Sequence, residues 1–257
     1  MRYQGGDDCV EGMKSFLAGD AFADRTVVLI GGGSGIGFAV AKLVVSGGGA
    51  VVLGGRRAGA LEKAAAELGP SATWQVVDTA DERAVEAVFA RLDSVDAVFT
   101  TAATYITGSL RELSISDAAS PFDSKFWGQY RVVKAALPVL AADASVVLMA
   151  GAASVRPAGA APAYVAANAA IEGLARGLAV ELAPVRVNAI SPGTVDGNLW
   201  NQRPQAVRQA AFDHFVEAST SGKLVREDEI AAAVIHLFLN GATTGSTLYP
   251  DGGYSLR

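Results

Sequence analysis

The residues Gly31-Gly32-Gly33-Ser34-Gly35-Ile36-Gly37 lie directly between an apolar run, Val27-Val28-Leu29-Ile30, and a segment with a helical pattern. A strand, a glycine-rich turn and a helix in this order form a cradle for the pyrophosphate of a dinucleotide. Glycine lets the backbone approach the phosphates, and the helix start offers free N–H groups and the positive end of its dipole. The stretch predicts a dinucleotide site, with an ordinary βα turn as the alternative. The predicted contacts are Gly31, Gly33, Ser34, Gly35, Ile36 and Gly37.

Apolar segments of strand length alternate with helical segments along the rest of the chain. This alternation predicts right-handed βαβ units and a parallel sheet that is covered on both faces. We therefore expect an α/β fold, a single doubly wound (Rossmann) domain at 25–257 with a mainly parallel seven-stranded sheet, preceded by an extension at 1–24 with a short amphipathic turn at 13–17. Strands are predicted at 27–30, 50–53, 73–77, 95–99, 145–149, 185–190 and 247–249, and helices at 61–68, 81–91, 121–139, 164–182 and 227–239.

The composition restricts the classes of partner. Of the 257 residues, 51% are apolar and 18% are charged, and the net charge is −5 without the basic stripe that binds nucleic acid. No apolar run approaches the length of a membrane span, and the N-terminus lacks the apolar core of a secretion signal. The single cysteine, Cys9, suits a reducing compartment. We expect a cytoplasmic protein that acts on a small molecule, without nucleic acid, membrane or metal as a partner.

The end of the second predicted strand indicates which nicotinamide cofactor is bound. A carboxylate there binds the ribose 2′-hydroxyl of NAD, whereas a basic residue accommodates the 2′-phosphate of NADP. This chain reads Leu53-Gly54-Gly55-Arg56-Arg57, with glycine in the acidic position and two arginines behind it. The guanidinium fork fits phosphate oxygens, so Arg56 and Arg57 predict NADP(H). The alternative is a solvated arginine pair at the start of a helix.

Over residues 25–257 the chain resembles the short-chain dehydrogenase/reductase family. The resemblance rests on the glycine-rich turn, Asp78, the run Asn188-Ala189-Ile190-Ser191-Pro192-Gly193, and Asp251-Gly252-Gly253. It implies that Asp78 contacts the adenine and that Pro192 and Gly193 line the nicotinamide pocket. The family's Asn-Asn-Ala-Gly is replaced by Thr100-Thr101-Ala102-Ala103. The resemblance further assigns Thr79, Thr101, Ala102, Ala103 and Val195 to the cofactor site.

The catalytic positions implied by this resemblance depart from the family pattern. The family has a tyrosine followed four residues later by a lysine, whereas this chain has Tyr164 and Asn168. Residues four apart lie on one helix face, so both can face the cofactor. The family's asparagine, on the preceding long helix, is replaced by Lys125. We therefore predict that the two residue types have exchanged helices and that Lys125 supplies the charge that lowers the pKa of Tyr164.

Two alternatives concern these catalytic positions. Lys125 can be a solvated helix residue paired with Asp123, and Tyr164 can be a core residue at a helix start. The family serine, thirteen residues before the tyrosine, corresponds to Gly151. Its hydrogen bond to the substrate oxygen is then lost, unless Ser154 or a backbone N–H replaces it.

The leading hypothesis for function is an NADP(H)-dependent oxidoreductase that reduces a carbonyl or oxidises a secondary alcohol on a small apolar substrate. Tyr164 donates the proton, Lys125 lowers its pKa, and Asn168 holds the ribose. The altered catalytic set leaves two alternatives open. One is an NADP(H)-binding pseudoenzyme that acts as a redox sensor or partner subunit, and the other is a non-redox isomerase or lyase.

The segment 194–222 is expected to form a lid over the substrate pocket, as the family resemblance implies. Trp200, Phe212, His214 and Phe215 suggest an apolar pocket, although these aromatic residues can instead pack against the domain. The resemblance also implies a homodimer or homotetramer assembled through the helices at 121–139 and 164–182. Gly173 and Gly177 would permit a close approach of the second helix.

Overall fold

A computed structural model of the chain describes residues 19–157, 159–201 and 203–256. Seven strands form one sheet in the order β3-β2-β1-β4-β5-β6-β9, and every neighbouring pair is parallel. The predicted doubly wound α/β fold is therefore confirmed. Most of the expected extension, including 13–17, lies outside the described residues. The strands are β1 (Thr26–Ile30), β2 (Ala50–Gly55), β3 (Ala72–Val76), β4 (Val95–Thr100), β5 (Leu140–Met149), β6 (Arg186–Ile190) and β9 (Thr247–Leu248), with a separate pair β7 (Val195–Asp196) and β8 (Val225–Arg226).

Helices cover both faces of the sheet, and β1 shows why. Successive side chains of a strand point to opposite faces. Val27 and Leu29 belong to one core cluster, whereas Val28 and Ile30 belong to a second cluster on the other face. An apolar strand without polar alternation thus contributes to two cores. The helices are α1 (Gly35–Ser46), α2 (Ala58–Leu68), α3 (Glu82–Phe89), α4 (Ile115–Pro121), α5 (Trp127–Ala136), α6 (Pro162–Glu181), α7 (Asn198–Asn201), α8 (Gln205–Ala218) and α9 (Glu227–Leu239).

The region between β4 and β5 differs from the single helix predicted at 121–139. The helical segment begins earlier, at α4, because the Ser114 side chain accepts a hydrogen bond from the N–H of Asp117 and caps the first turn. Pro121 lies inside this helix rather than at its start. It offers no N–H to the carbonyl of Asp117, and the Ser120 hydroxyl donates to that oxygen instead at 2.6 Å. A π-helical turn, Phe122–Phe126, then joins α4 to α5.

The topology determines where a ligand binds. From β1 the chain proceeds through β2 to β3 on one side, and β4 begins the other side. The carboxyl ends of β1 and β4 therefore border the crevice in which such sheets bind ligands. Among the described helices, none is both long and apolar enough to cross a membrane.

Candidate functional site

The glycine-rich turn forms the floor of this crevice. Gly31 has φ +98°, and a Cβ there would overlap the Thr101 hydroxyl. A Cβ on Gly37 would overlap the carbonyl oxygen of Gly31. Only glycine permits this packing of the turn against the start of α1 and against the loop after β4. The turn thus has the compact glycine backbone that a pyrophosphate cradle requires, so these residues fit a dinucleotide.

The remaining predicted cofactor residues surround the same edge of the sheet. The Thr101 N–H donates to the Ile30 carbonyl at 2.8 Å, which holds Thr101, Ala102 and Ala103 beside the cradle. Asp78 follows β3 and accepts the N–H of Ala80, and Thr79 is buried.

The loop after β6 completes this edge of the sheet. The Pro192 carbonyl accepts the N–H of Ala152 at 2.9 Å, which ties the loop to the segment after β5. Gly193 follows directly, and a Cβ on it would overlap the Phe215 ring. Val195 lies on β7, opposite Val225.

Two arginines extend from the end of β2 toward this crevice. The Arg57 guanidinium donates to the hydroxyl of Ser34 in the glycine-rich turn at 3.1 Å. The Arg56 guanidinium donates to the hydroxyl of Thr104, after β4, at 2.6 Å. Both arginines are exposed. The two positive groups therefore flank the cradle and are not directed into bulk solvent alone.

Glu227, the first residue of α9, brings a carboxylate to the same cradle. A Cβ on Gly35 would lie 3.1 Å from Glu227 Oε1, and a Cβ on Gly197 would overlap that oxygen. Gly35 is the first residue of α1, so the carboxylate lies at the helix N-terminus, which also attracts phosphate. Glu227 was not predicted from the sequence, because the contact depends on how α9 packs beside α1.

Tyr164, Asn168 and Lys125 meet in one cluster. Tyr164 and Asn168 lie one turn apart on α6, and the Asn168 amide donates to the backbone carbonyl of Tyr164 at 2.8 Å. Lys125 enters from the π-helical turn and is only 5% exposed. Its Nζ donates to Asn168 Oδ1 and to the Ala150 carbonyl, the latter at 2.7 Å. The ammonium lies 5.3 Å from the centroid of the Tyr164 ring, so the alternative of a solvated Lys125 is wrong.

Burial and neighbouring charges shift the pKa values of both Tyr164 and Lys125. Burial by itself would raise the pKa of Tyr164, but the Lys125 ammonium and hydrogen bonds from Tyr105 and Asn168 bring that pKa below its ordinary value. For the Lys125 amine, burial lowers the pKa, although the nearby Tyr164 and Glu172 oppose that effect. The lowered pKa makes the phenol of Tyr164 a better proton donor and its phenolate easier to form.

Gly151 lies where the family serine is expected. A Cβ on it would lie 3.6 Å from Tyr164 Oη and 3.2 Å from Asn168 Oδ1. Ser154, the predicted substitute, donates instead to the carboxylate of Glu172 at 2.5 Å. Glu172 also accepts hydrogen bonds from Ser191 and from Tyr249. Ser154 thus belongs to a polar network around Glu172 of α6 and not to the surroundings of Tyr164 Oη.

Tyr105 is a second phenol at the site, and it was not predicted from the sequence. Its hydroxyl donates to Tyr164 Oη at 3.4 Å, and the two ring centroids are 4.8 Å apart. It lies in the loop after β4, where no periodic pattern predicts the direction of a side chain. One feature of the sequence could have pointed to Tyr105: it lies two residues after Ala103, the last residue at the position of the family's Asn-Asn-Ala-Gly.

The predicted lid contains α7 and α8, which begin at residue 198 and end at residue 218. Its aromatic residues pack mainly within the domain. Phe212 is buried and contacts Trp200, whereas Phe215 stacks on Tyr254 with centroids 5.1 Å apart. His214 is exposed. Phe215 is therefore part of the core, and the lid presents fewer aromatic groups to a substrate than the sequence suggests.

Other motif residues stabilise loops. The Asn188 side chain donates to the Thr243 carbonyl and accepts the N–H of Ser246. The Asp251 carboxylate accepts the N–H groups of Gly253 and Ser255. Across the described ranges, no group of His, Cys, Asp and Glu has the arrangement of a metal site.

Comparison with known proteins identifies the family of this site. A family model described as enoyl-(acyl carrier protein) reductase matches residues 31–255. A cis-4-hydroxycyclohexanecarboxylate dehydrogenase from Sinomonas cyclohexanicum is 32% identical over 92% of this chain and 99% of its own length. The chain belongs to the short-chain dehydrogenase/reductase family. This short-chain dehydrogenase/reductase is also 30% identical to a meso-2,3-butanediol dehydrogenase from Serratia marcescens, over 90% of this chain and 95% of that protein.

A solved structure adds a comparison for this short-chain dehydrogenase/reductase. An NADPH-bound short-chain oxidoreductase from Pseudomonas aeruginosa PAO1, described as containing an atypical catalytic center, aligns with a TM-score of 0.83 and 28% identity. The alignment covers 90% of this chain and 97% of that one. Membership of the family supports an oxidoreductase with a nicotinamide cofactor.

Proposed function

We propose that this short-chain dehydrogenase/reductase is an NADP(H)-dependent enzyme that interconverts a carbonyl and a secondary alcohol on a small apolar substrate. The observation that carries the proposal is the buried ammonium of Lys125 beside Tyr164. A buried charge is costly unless it is paired and hydrogen-bonded, and groups with perturbed pKa values in a cleft often mark catalytic sites. The relatives named as dehydrogenases of hydroxyl-bearing compounds support the same class of substrate.

The residues at the carboxyl edge of the sheet would hold the cofactor, which supplies or accepts a hydride when bound. The glycine-rich turn, with the start of α1, would bind the pyrophosphate. Arg56 and Arg57 would bind the 2′-phosphate, because they flank the turn and offer charge-assisted hydrogen bonds. Asp78 and Thr79 would border the adenine, Thr101, Ala102 and Ala103 the adjoining ribose, and Pro192, Gly193 and Val195 the nicotinamide.

Tyr164 would exchange a proton with the substrate oxygen. In the reduction direction its hydroxyl donates the proton, and in the oxidation direction its phenolate accepts one. Lys125 would stabilise the phenolate by its charge, and its hydrogen bond to Asn168 would fix the ammonium in place. Asn168 is fully buried, and its amide is bonded to the Tyr164 carbonyl and to Lys125, so it would position the ammonium and would not reach the ribose as the sequence suggested.

Self-association through α5 and α6 remains part of this proposal. Trp127, Tyr130 and Val180 are exposed on these two helices, and exposed apolar groups favour an interface. Light scattering at micromolar concentration should report a homodimer or homotetramer, and a monomer would contradict it.

A cytoplasmic location is likewise proposed and can be checked by fractionation of the source cells.

The first experiment is a fluorescence titration with NADPH and NADH, followed by turnover assays on a panel of ketones and secondary alcohols. We expect selective binding of NADPH and turnover that falls about 10²- to 10⁴-fold in Tyr164→Phe, the usual contribution of a general acid or base. Binding without any Tyr164-dependent turnover would favour the pseudoenzyme alternative. Product formation without a change in NADPH absorbance would favour the isomerase or lyase alternative.

A further inference from the structure

Two phenols face each other in the active-site cluster. Tyr105 comes from the loop after β4 and Tyr164 from α6, and the two rings are inclined by only 31° with centroids 4.8 Å apart. The Tyr105 hydroxyl donates to Tyr164 Oη at 3.4 Å. An oxygen atom that is hydrogen-bonded to Tyr164 Oη on the side facing Tyr105 therefore lies within reach of the Tyr105 hydroxyl as well.

The neighbourhood of Tyr164 Oη lacks a hydroxyl from residue 151. Gly151 lies so close that a Cβ would be 3.6 Å from Tyr164 Oη, yet glycine offers no side-chain donor. Ser154 cannot substitute in this arrangement, because its hydroxyl donates to Glu172. Tyr105 thus supplies a hydroxyl beside Tyr164 Oη, where the expected serine hydroxyl is missing.

The two phenols have opposite environments. Burial, and then the negative charge that Tyr164 acquires on ionisation, raise the pKa of Tyr105 well above its ordinary value. The pKa of Tyr164 is lowered, because the charge of Lys125 and the hydrogen bonds that Tyr164 receives outweigh the effect of burial. Pairs of titratable groups whose environments separate their pKa values take different roles in a reaction. Tyr105 keeps its proton over the range in which Tyr164 exchanges one.

We propose that Tyr105 is a second catalytic residue, whose hydroxyl proton turns from Tyr164 Oη to the substrate oxygen when substrate binds and is donated to it as a hydrogen bond while Tyr164 exchanges a proton with it. In the reduction direction the O–H bond of Tyr164 breaks and a new O–H bond forms on the substrate. The O–H bond of Tyr105 stays intact throughout, so Tyr105 stabilises the developing negative charge without any net transfer. This proposal rests on the proposed function, since it requires a substrate oxygen at Tyr164.

The test compares Tyr105→Phe with the wild type and with Tyr105→Phe combined with Gly151→Ser. Phenylalanine keeps the ring packing and removes only the hydroxyl. We expect kcat to fall about 10²- to 10³-fold, as for the loss of one oxyanion donor, with NADPH affinity unchanged. The added serine should recover part of this loss, because Gly151 has φ 174°, an extended conformation open to any residue, and its Cβ would face Tyr164 Oη.

A second readout is independent of turnover. The Tyr105 hydrogen bond favours the phenolate of Tyr164, so Tyr105→Phe should raise the pKa of Tyr164. Phenolate ultraviolet absorbance, titrated with and without Tyr164→Phe, measures that shift. A Tyr105→Phe enzyme with wild-type kcat would overturn the role of Tyr105 while leaving the proposed function intact. A wild-type protein that turns over no carbonyl or alcohol would overturn the proposed function, and this role with it.

Discussion

Lys125 and Asn168 are joined by a buried hydrogen bond between Nζ and Oδ1, although they lie on different helical segments. In the family pattern the lysine would occupy position 168, on the same helix as Tyr164 and one turn after it. Here the ammonium reaches the tyrosine from the π-helical turn between α4 and α5. The predicted exchange of the charge and the amide between helices would therefore leave the two groups in contact.

The exchange can be reversed. Lys125→Asn alone should lower kcat about 10- to 1,000-fold, because loss of the opposite charge raises the pKa of Tyr164. Asn168→Lys alone places two ammonium groups together and should destabilise the fold. The double variant should recover much of the activity of the wild type, as a double-mutant cycle in kcat and thermal stability can measure. A double variant no more active than Lys125→Asn would refute a functional exchange.

The pH profile of alcohol oxidation should depend on Lys125. Oxidation needs the phenolate, so the rate rises as the pH passes upward through the pKa of Tyr164. The Lys125 ammonium lowers that pKa, so Lys125→Met should move the acidic limb of the kcat profile to higher pH. Lys134→Met is the matched control, since Lys134 lies on α5 but is exposed and paired with Glu82 at 3.1 Å. An unchanged limb in Lys125→Met would exclude a role for its charge.

Arg56→Ala and Arg57→Ala should weaken NADPH binding while leaving NADH binding nearly unchanged. Each change removes a charge-assisted hydrogen bond worth about 1.5–3 kcal/mol, or about tenfold or more in Kd. Fluorescence titration with both cofactors measures the difference. Arg91→Ala is a suitable control, because Arg91 is an exposed residue between α3 and β4, at the opposite edge of the sheet. Equal weakening for both cofactors would argue against a contact with the 2′-phosphate.

Glu227→Gln should strengthen NADPH binding. The carboxylate lies at the N-terminus of α1, near Gly35, and would repel a pyrophosphate there. A charge at a helix end contributes about 0.3–1 kcal/mol, so we expect an improvement of about two- to fivefold in Kd. Glu67→Gln, at an exposed position on α2, is the control for a general change in charge. Weaker binding in Glu227→Gln would instead show that the carboxylate organises the cradle.

The fold and the cradle were predictable because their signals are local. The apolar run before Gly31 and the glycines behind it specify strand, turn and helix within a few residues, and the structure places β1 and α1 there. The cluster of Tyr164 and Asn168 also follows from helical spacing. The start of the helical segment after β4 was mistaken because Pro121 indicates a helix start, whereas the Ser114 cap begins it earlier.

Contacts made through tertiary packing were not predictable in the same way. Tyr105 lies in a loop and Glu227 on a distant helix, so neither carries a pattern that shows which way its side chain points. Ser154 was near enough in sequence to replace the missing serine, but Glu172, two turns along α6 from Tyr164, attracts its hydroxyl. The carboxylate of Glu172 accepts hydrogen bonds from three hydroxyls, and a hydrogen bond to a charged oxygen is stronger than one to a neutral group.

The position of Lys125 has a consequence for how this family is recognised. Coulombic stabilisation depends on separation and on the surrounding medium, and it is indifferent to the order of residues along the chain. A search for a tyrosine followed four residues later by lysine passes over a chain such as this one, in which the ammonium reaches the phenol from another helix. Relatives that lack that lysine are better sorted by whether any cation lies beside the phenol in three dimensions.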